Sequence, residues 1–411
     1  MDTAKLYKND TYIKEWTGAV TSVKPLEEDD SRLLITLDRT AFFPEGGGQS
    51  CDTGFIGPYR VTDVQEEKGE VYHTIEKGDE PVPRPGASFH CSLDWERRFD
   101  NMQRHCGEHI LSGIFYSLCG GINRGFHMGG DYMTIDISLE EDPAVTEITR
   151  ETALEAELAA NRVIWSDAPV TVTHFDSREE AEKMPLRKAL ALEEDITIVS
   201  VGSRENAADC VACCGTHPSS AGQVGLIKIY KVERYKGMFR IYFEAGERAL
   251  KDYDEKHELI SSLSQRYSAS AGNLASKLDA REKKLSDLKD ELYHIKKAFT
   301  AGECSRIDSL IEDSDLSVLF YSSDCLSAEA LGDMSKHYMG KAPLLIILFS
   351  EKDKACILAS DGVFCDCGSL VKEYAPKWSG KGGGSRVSAR AVFPSEEKAL
   401  AFSEALKELL S

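Results

Sequence analysis

The apolar positions change period along the chain. From Thr11 to about Leu93, short alternating runs such as SRLLITL, YRVTDVQ, GEVYHTIE and ASFHCSL are separated by glycine-rich corners. Period-two alternation at this spacing predicts the strands of a small antiparallel β-barrel. At Trp95 the period becomes helical, and RRFDNMQRHCGEHILSGIFYSLCG predicts a helix stopped by Cys119 and two glycines. A strand DYMTIDISL, a helix from about Ala144 to Arg162, a strand VTVTHFD, a short acidic helix REEAEKM, a strand ITIVSVG and a strand pair over VGLIKIYKVERYKGMFRIYFEAG follow. That mixture predicts an α+β domain. From about Ala249 to Phe299 there is no proline and one glycine. There Ala271, Leu278, Leu285, Leu292 and Phe299 fall on one heptad position, and Leu274, Leu288 and Ile295 on the other. This is the seam of a coiled coil or helical hairpin. The runs VLFYSS, LLIILFS, ACILAS and ALAFSEALKELL then predict an α/β tail with its own core. The expected fold class is α+β, with a small β-barrel over residues 1–93, an α+β domain over 94–246, a helical coiled-coil arm over 247–300 and a C-terminal α/β domain over 301–411.

Composition narrows the setting. The chain has 411 residues, 42% hydrophobic and 29% charged, which describes a globular protein of several domains. No window approaches the apolar length of a membrane span, and the opening MDTAKLYKNDTYIKEWTG has no signal-peptide core, so a cytoplasmic protein is expected. Of twelve cysteines diluted through such a chain, most are expected to be reduced thiols. Cys51, Cys91, Cys119, Cys325 and Cys356 read as small buried hydrophobes, and Cys365 and Cys367 in FCDCG as a structural pair or a second metal or redox pair. A formal charge of −20 excludes a broad nucleic-acid surface but allows a local one.

Candidate chemistry concentrates in two stretches. In RHCGEHILSGIF, His105 and His109 stand four apart, so a helix would carry both imidazoles on one face toward one metal ion. CVACCGTHPSS offers a second pair with the same spacing, Cys213 and His217, where Gly215 frees the backbone, while Cys214 or Cys210 is an alternative thiol ligand. RHCGEH also fits the H-x-x-E-H metallopeptidase pattern, with Glu108 activating water. TAFFPEGGGQSCDTG presents Gly46, Gly47 and Gly48 for close backbone approach and Thr40 and Gln49 for side-chain hydrogen bonds, without the lysine and helix of a phosphate loop. Near the end, KEYAPKWSGKGGGSRVSAR gathers Lys372, Lys377, Lys381, Arg386 and Arg390 around a flexible glycine run beside Tyr374 and Trp378, a local grip for a phosphate backbone and an exposed base.

Taken in order, LDRTAFFPEGGGQSCDTG, RHCGEHILSGIF, CVACCGTH and the coiled region with KGGGSR resemble the editing half of alanyl-tRNA synthetase and the free-standing AlaX proteins, in their long form with the synthetase's C-terminal domain. The resemblance spans nearly the whole chain. It implies an enzyme that hydrolyses mischarged tRNA(Ala), chiefly Ser-tRNA(Ala) and secondarily Gly-tRNA(Ala), in the cytoplasm. It implies Zn2+ held by His105, His109, Cys213 and His217 in the 94–246 domain, with tRNA gripped through Lys377, Lys381, Arg386 and Arg390. A homodimer through the helical arm or C-terminal domain is expected. Three departures from the family bear on amino-acid preference. Cys214 replaces the first glycine of C-G-G-T-H, Glu108 replaces a small polar residue, and GFHMGG has His127 where a glutamine is usual. Thr40, Gln49, Glu108 and His127 are the candidates for recognising a seryl hydroxyl, and Glu108 for general base. Competing readings are a zinc-stabilised tRNA-binding module without catalysis and a metallopeptidase.

Overall fold

Alternating apolar side chains in the N-terminal stretch produce six antiparallel strands that close into a ring. Their order is Glu15–Leu26, Asp29–Leu37, Glu70–Glu76, Tyr59–Glu67, Gly54–Ile56 and Ser88–Leu93, the last pairing back with the first. Inside, Val20, Ile35, Phe42, Ile56, Val61 and Ile75 are buried. The computed structural model describes residues 3–26, 29–140, 144–191, 193–313 and 316–410, which divide into two compact units, Met1–Ser262 and Leu263–Ser411.

The first unit continues from the ring into helix α1 (Trp95–Cys119). Asp94 caps it by accepting from the Arg97 amide, and Gly120 ends it at φ 63°. Arg98 ties α1 to the ring: its guanidinium is fully buried, pairs with the Asp52 carboxylate, and donates to the carbonyls of Ala41 (2.6 Å) and Thr11 (2.9 Å). Such a buried pair fixes orientation more than it adds stability, but removing one partner leaves an uncompensated charge.

A four-stranded antiparallel sheet, in the order Ile227–Tyr235, Met238–Ala245, Met133–Ser138 and Ile122–Met128, packs on α1 and helix α2 (Arg150–Trp165). A second sheet joins Val170–Ser177, Glu194–Ser203 and Asn206–Ala212, with the one-turn helix α3 (Arg178–Ala181) beside it. Helix α1 meets the last of these strands closely. A Cβ on Gly113 would lie 2.0 Å from the Ala208 carbonyl oxygen, so only glycine permits this approach. The contact brings the loop after Ala212 against the middle of α1.

Helix α4 (Gly246–Tyr267) carries the chain past the division between units. The helical region is in two pieces: Ser268 has φ 47°, and α5 (Leu274–Glu312) starts after a short 3-10 turn at Ala271–Asn273. Ala271 therefore lies outside the long helix, which runs on well past Phe299. In the second unit the strand order is Val318–Ser323, Leu345–Ser350, Ala355–Ala359, Ser388–Val392, Lys381–Gly384, the first pair parallel and the rest antiparallel. The central strand LIILFS is buried on both faces. Ile346 and Leu348 pack with α5 and α6 (Ala328–Tyr338), and Leu345, Ile347 and Phe349 with α7 (Cys367–Tyr374) and α8 (Glu396–Leu410). The KGGG run is an edge strand rather than a flexible run. The architecture is thus mixed α+β. Cys325, expected buried, is exposed, whereas Cys51, Cys91, Cys119 and Cys356 are buried. No helix among the described residues is long and apolar enough to cross a membrane.

Candidate metal centre

The helical spacing of His105 and His109 and the loop spacing of Cys213 and His217 converge. One ligand atom from each of the four lies within 4.8 Å of every other. The Cys213 Sγ is 3.5 Å from His105 Nε2 and 3.4 Å from His217 Nε2. In a tetrahedral site with metal–nitrogen and metal–sulfur distances of about 2.1 and 2.3 Å, ligand atoms are about 3.3–3.7 Å apart. The spacing therefore fits a single cation. Cys214, the neighbouring thiol, is exposed and borders the cavity, and Cys210 is buried in the small core under the three-stranded sheet. Neither joins the cluster.

Partners behind the ring nitrogens set the tautomers. His105 Nδ1 lies 2.8 Å from the Gln49 amide oxygen, while the Gln49 amide nitrogen donates to Thr216 Oγ1 at 2.8 Å. His105 must therefore donate from Nδ1, leaving the Nε2 lone pair for the centre. His109 Nδ1 is likewise 2.9 Å from Asp209 Oδ2, and Asp209 also receives the Arg187 guanidinium at 2.5 Å. Electrostatics favour cation binding. Burial opposes ionisation of Cys213, but the imidazoles of His105, His109 and His217 outweigh it and hold the thiol well below its ordinary range. Burial pushes His217 down to about 4, so it is a neutral donor. Burial also opposes a proton on His109, yet the Cys213 sulfur and Asp209 hold it well above the ordinary value; a metal ion would compete with that proton for Nε2.

The cluster opens on a cavity of about 770 Å³ in the first unit. Glu108 lines it; its Oε1 accepts from Ser112 Oγ (2.6 Å) and Asn123 Nδ2 (2.7 Å), while Oε2 stands 4.0 Å from His109 Nε2. Gly46 and Gly47 form another wall. They belong to a tight turn in which Gly46 and Gln49 exchange two backbone hydrogen bonds, with φ 59° at Gly47 and 82° at Gly48. Two successive positive φ values are those of a hairpin turn that glycine adopts without strain. That turn delivers Gln49 to His105.

Of the four residues expected to recognise a seryl hydroxyl or act in catalysis, only Glu108 borders the cavity. Gln49 is buried behind His105. Thr40 is buried in the ring, 2.9 Å from His73 Nε2, and its oxygen also accepts from the Phe42 amide. His127 is exposed on the strand Ile122–Met128. A bulge beside Arg124 shifts the strand's register, so that Asn123 reaches Glu108 and Phe126 the cavity, while His127 falls on the opposite face. Helical spacing would have found Ser112, one turn beyond Glu108, but no sequence pattern marks Asn123, Arg187 or Asp209. In the second unit, Lys377, Lys381, Arg386 and Arg390 are all exposed, Lys377 with its ammonium 4.0 Å above the Tyr374 ring and Arg390 opposite Gly383 on the neighbouring strand.

Two family models match the chain: tRNA synthetases class II (A) over residues 4–97, and the threonyl and alanyl tRNA synthetase second additional domain over residues 196–242, which include Cys213 and His217. Alanyl-tRNA editing protein AlaX-L of Pyrococcus horikoshii is 28% identical over 99% of this chain and 98% of its own length. Alanine--tRNA ligase of Ignicoccus hospitalis is 28% identical over 96% of this chain but only 42% of its own length, and that of Pyrococcus furiosus 32% identical over 64% and 28%. The chain thus spans less than half of these ligases. A solved C-Ala domain from Aquifex aeolicus alanyl-tRNA synthetase aligns with 24% of the chain at 16% identity and a TM-score of 0.22, too slight a likeness to argue from.

Proposed function

We propose, on the premise that the chain belongs to the AlaX family of alanyl-tRNA editing proteins, that it hydrolyses the ester joining a wrong amino acid to tRNA(Ala), serine chiefly and glycine secondarily. One observation carries this reading: a cluster of three buried histidines and a half-buried cysteine, at metal-ligand spacing, in the wall of a cavity large enough for an aminoacyl group. Zinc suits a donor set of three imidazole nitrogens and one thiolate sulfur, and supplies Lewis acidity for ester hydrolysis. His105, His109, Cys213 and His217 would hold it, and Gln49 and Asp209 keep the two helix imidazoles aimed at it.

Glu108 takes the proton of the attacking water at Oε2, while Ser112 and Asn123 hold Oε1 and so fix the carboxylate's direction. A pocket with such a polar wall leaves its groups unpaired against an alanyl methyl but satisfied by a seryl hydroxyl, and so reverses the preference of a site selecting for small size. The exposed Lys377, Lys381, Arg386 and Arg390 contact the tRNA backbone, supplying local positive charge in an acidic chain. The apolar seam of α5 joins two copies.

The deciding experiment is deacylation of seryl-, glycyl- and alanyl-tRNA(Ala) by the full chain, with metal content measured before and after a chelator. The expected result is rapid loss of the seryl ester, slower loss of the glycyl ester and an intact alanyl ester, with activity lost on chelation and restored by zinc. Metal-replete protein that binds tRNA and leaves every ester intact would make the cluster a structural site, for which four protein ligands are also the usual number.

A further inference from the structure

A second group of reactive side chains lies in the other unit, and the proposed hydrolysis makes no use of it. In FCDCG, Asp366 has φ −99° and ψ 99°, an extended conformation that turns the side chains before and after it to the same face. The thiols of Cys365 and Cys367 therefore lie on one side of the chain, Cys365 packing against the buried cluster that contains Cys367. They differ in setting. Cys367 opens α7 and is fully buried with Val371 and Phe393, whereas Cys365 is partly exposed. The preceding loop is held by Asp361, whose Oδ1 accepts from the amides of Val363 and Phe364 at 2.8 Å each, so Cys365 is presented from a fixed turn. The neighbouring Cys367 thiol favours the thiolate of Cys365 and brings it down to about 7, while Cys365 and burial push Cys367 up. An accessible, acidic thiol beside a buried partner is the arrangement of an attacking and a resolving cysteine.

We propose that Cys365 and Cys367 form a reversible dithiol–disulfide pair that is oxidised by peroxide and whose state is transmitted to the turn following the glycine edge strand. The Cys365 thiolate attacks one peroxide oxygen, the O–O bond breaks, and the other oxygen leaves as hydroxide, giving a sulfenic acid. The Cys367 sulfur then attacks that sulfur, the S–O bond breaks, and water leaves with the Cys367 proton. Two thiols lose two electrons and two protons, and the peroxide is reduced to two waters. The route to the turn is short. The Cys367 amide donates to the Arg386 carbonyl at 3.0 Å, and a Cβ on Gly368 would lie 2.8 Å from the Gly384 carbonyl oxygen. Drawing the Cys367 sulfur out of the core toward Cys365 pulls on that hydrogen bond and on the Gly384–Arg386 turn.

The test is differential alkylation with peptide mass mapping of the full chain, before and after hydrogen peroxide, and again after dithiothreitol. The expected result is one peptide holding both cysteines that loses two hydrogens with peroxide, resists alkylation, and recovers completely on reduction. In Cys367→Ser, Cys365 should proceed instead to sulfinic acid that reduction does not reverse. Hydrogen exchange of the 384–386 amides should quicken about tenfold on oxidation of the wild type. Cys365 that stays alkylatable after peroxide, or is over-oxidised equally in wild type and Cys367→Ser, overturns the pair. A disulfide that forms with unchanged exchange at 384–386 overturns its coupling to the turn.

Discussion

A methyl group on Gly215 would sit 2.2 Å from Cε1 and 2.4 Å from Nδ1 of His105, well inside contact distance. Gly215→Ala must therefore displace either His105 or the loop carrying Cys213 and His217. The variant is expected to purify folded, with wild-type far-ultraviolet circular dichroism, but without zinc and without deacylase activity; wild-type metal content would show that the loop yields cheaply. One step further from the centre, Asp209→Asn removes the charge behind His109 and leaves Arg187 without its partner carboxylate. Zinc affinity should fall about 10–100-fold, as measured by competition with a chromogenic chelator. His73 supplies a pH-dependent test away from the metal. It is fully buried in the ring, its Nδ1 donates to the Ile35 carbonyl, its Nε2 accepts from Thr40, and burial lowers it from 6.5 to about 4. The unfolded chain takes that proton first as pH falls. The contribution is thus complete above about pH 6.5 and lost as pH drops toward 4, about 3 kcal/mol in all. Subtracting the urea stability of His73→Gln from that of the wild type at each pH should isolate this slope, and a flat difference would mean that the ring opens to water around His73.

At the scale of elements, legibility followed periodicity. Helix α1 was readable because a strong 3.6-residue pattern begins at Trp95 and is stopped at Cys119 by two glycines, and both histidines followed from that helix. The pairing of Cys213 with His217 was readable from spacing, but their meeting with α1 depends on Gly113 accepting the Ala208 carbonyl, a contact between segments almost a hundred residues apart. His127 was unreadable for a sharper reason: one bulge reverses which residues of its strand face the cavity. Thr40 and Gln49 stood in one motif, yet Thr40 points into the ring core beside His73, and the Gly46–Gln49 turn sets Gln49 behind His105. The helical seam is a milder case. The heptad was visible, but Ser268 with positive φ breaks the helix before the seam begins. Within α5, Leu285, Leu288, Leu292, Ile295 and Phe299 remain 44–58% exposed, a stripe at coiled-coil spacing that is left uncovered in the single chain. Leu288→Lys with Leu292→Lys should convert a sedimenting dimer to monomer and leave metal content unchanged; an unaltered sedimentation coefficient would remove α5 as the joining element.

For the whole molecule the relevant quantity is the distribution of charge. A net charge of −20 repels a polyanion at distance, so binding tRNA requires cations gathered where contact is made. The first unit holds the His/Cys cluster and its cavity, and the second the exposed Lys377, Lys381, Arg386 and Arg390, so under the proposed function chemistry and grip fall to different units. Truncation after Ala269, at the helix break, should therefore separate them. Residues 1–269 keep every ligand of the centre together with Gln49, Glu108 and Asp209, and should retain one zinc per chain and a kcat within a few-fold of the full chain. Because the grip contributes binding that is equal in ground and transition states, its loss should appear in KM, which is expected to rise by at least about tenfold. The salt dependence of binding should fall in parallel, since each phosphate contact removed lowers the slope of log K against log salt by about 0.9 for a duplex. An unchanged KM with an unchanged salt slope would place tRNA recognition in the first unit, most directly on the lysines and arginines that border its cavity.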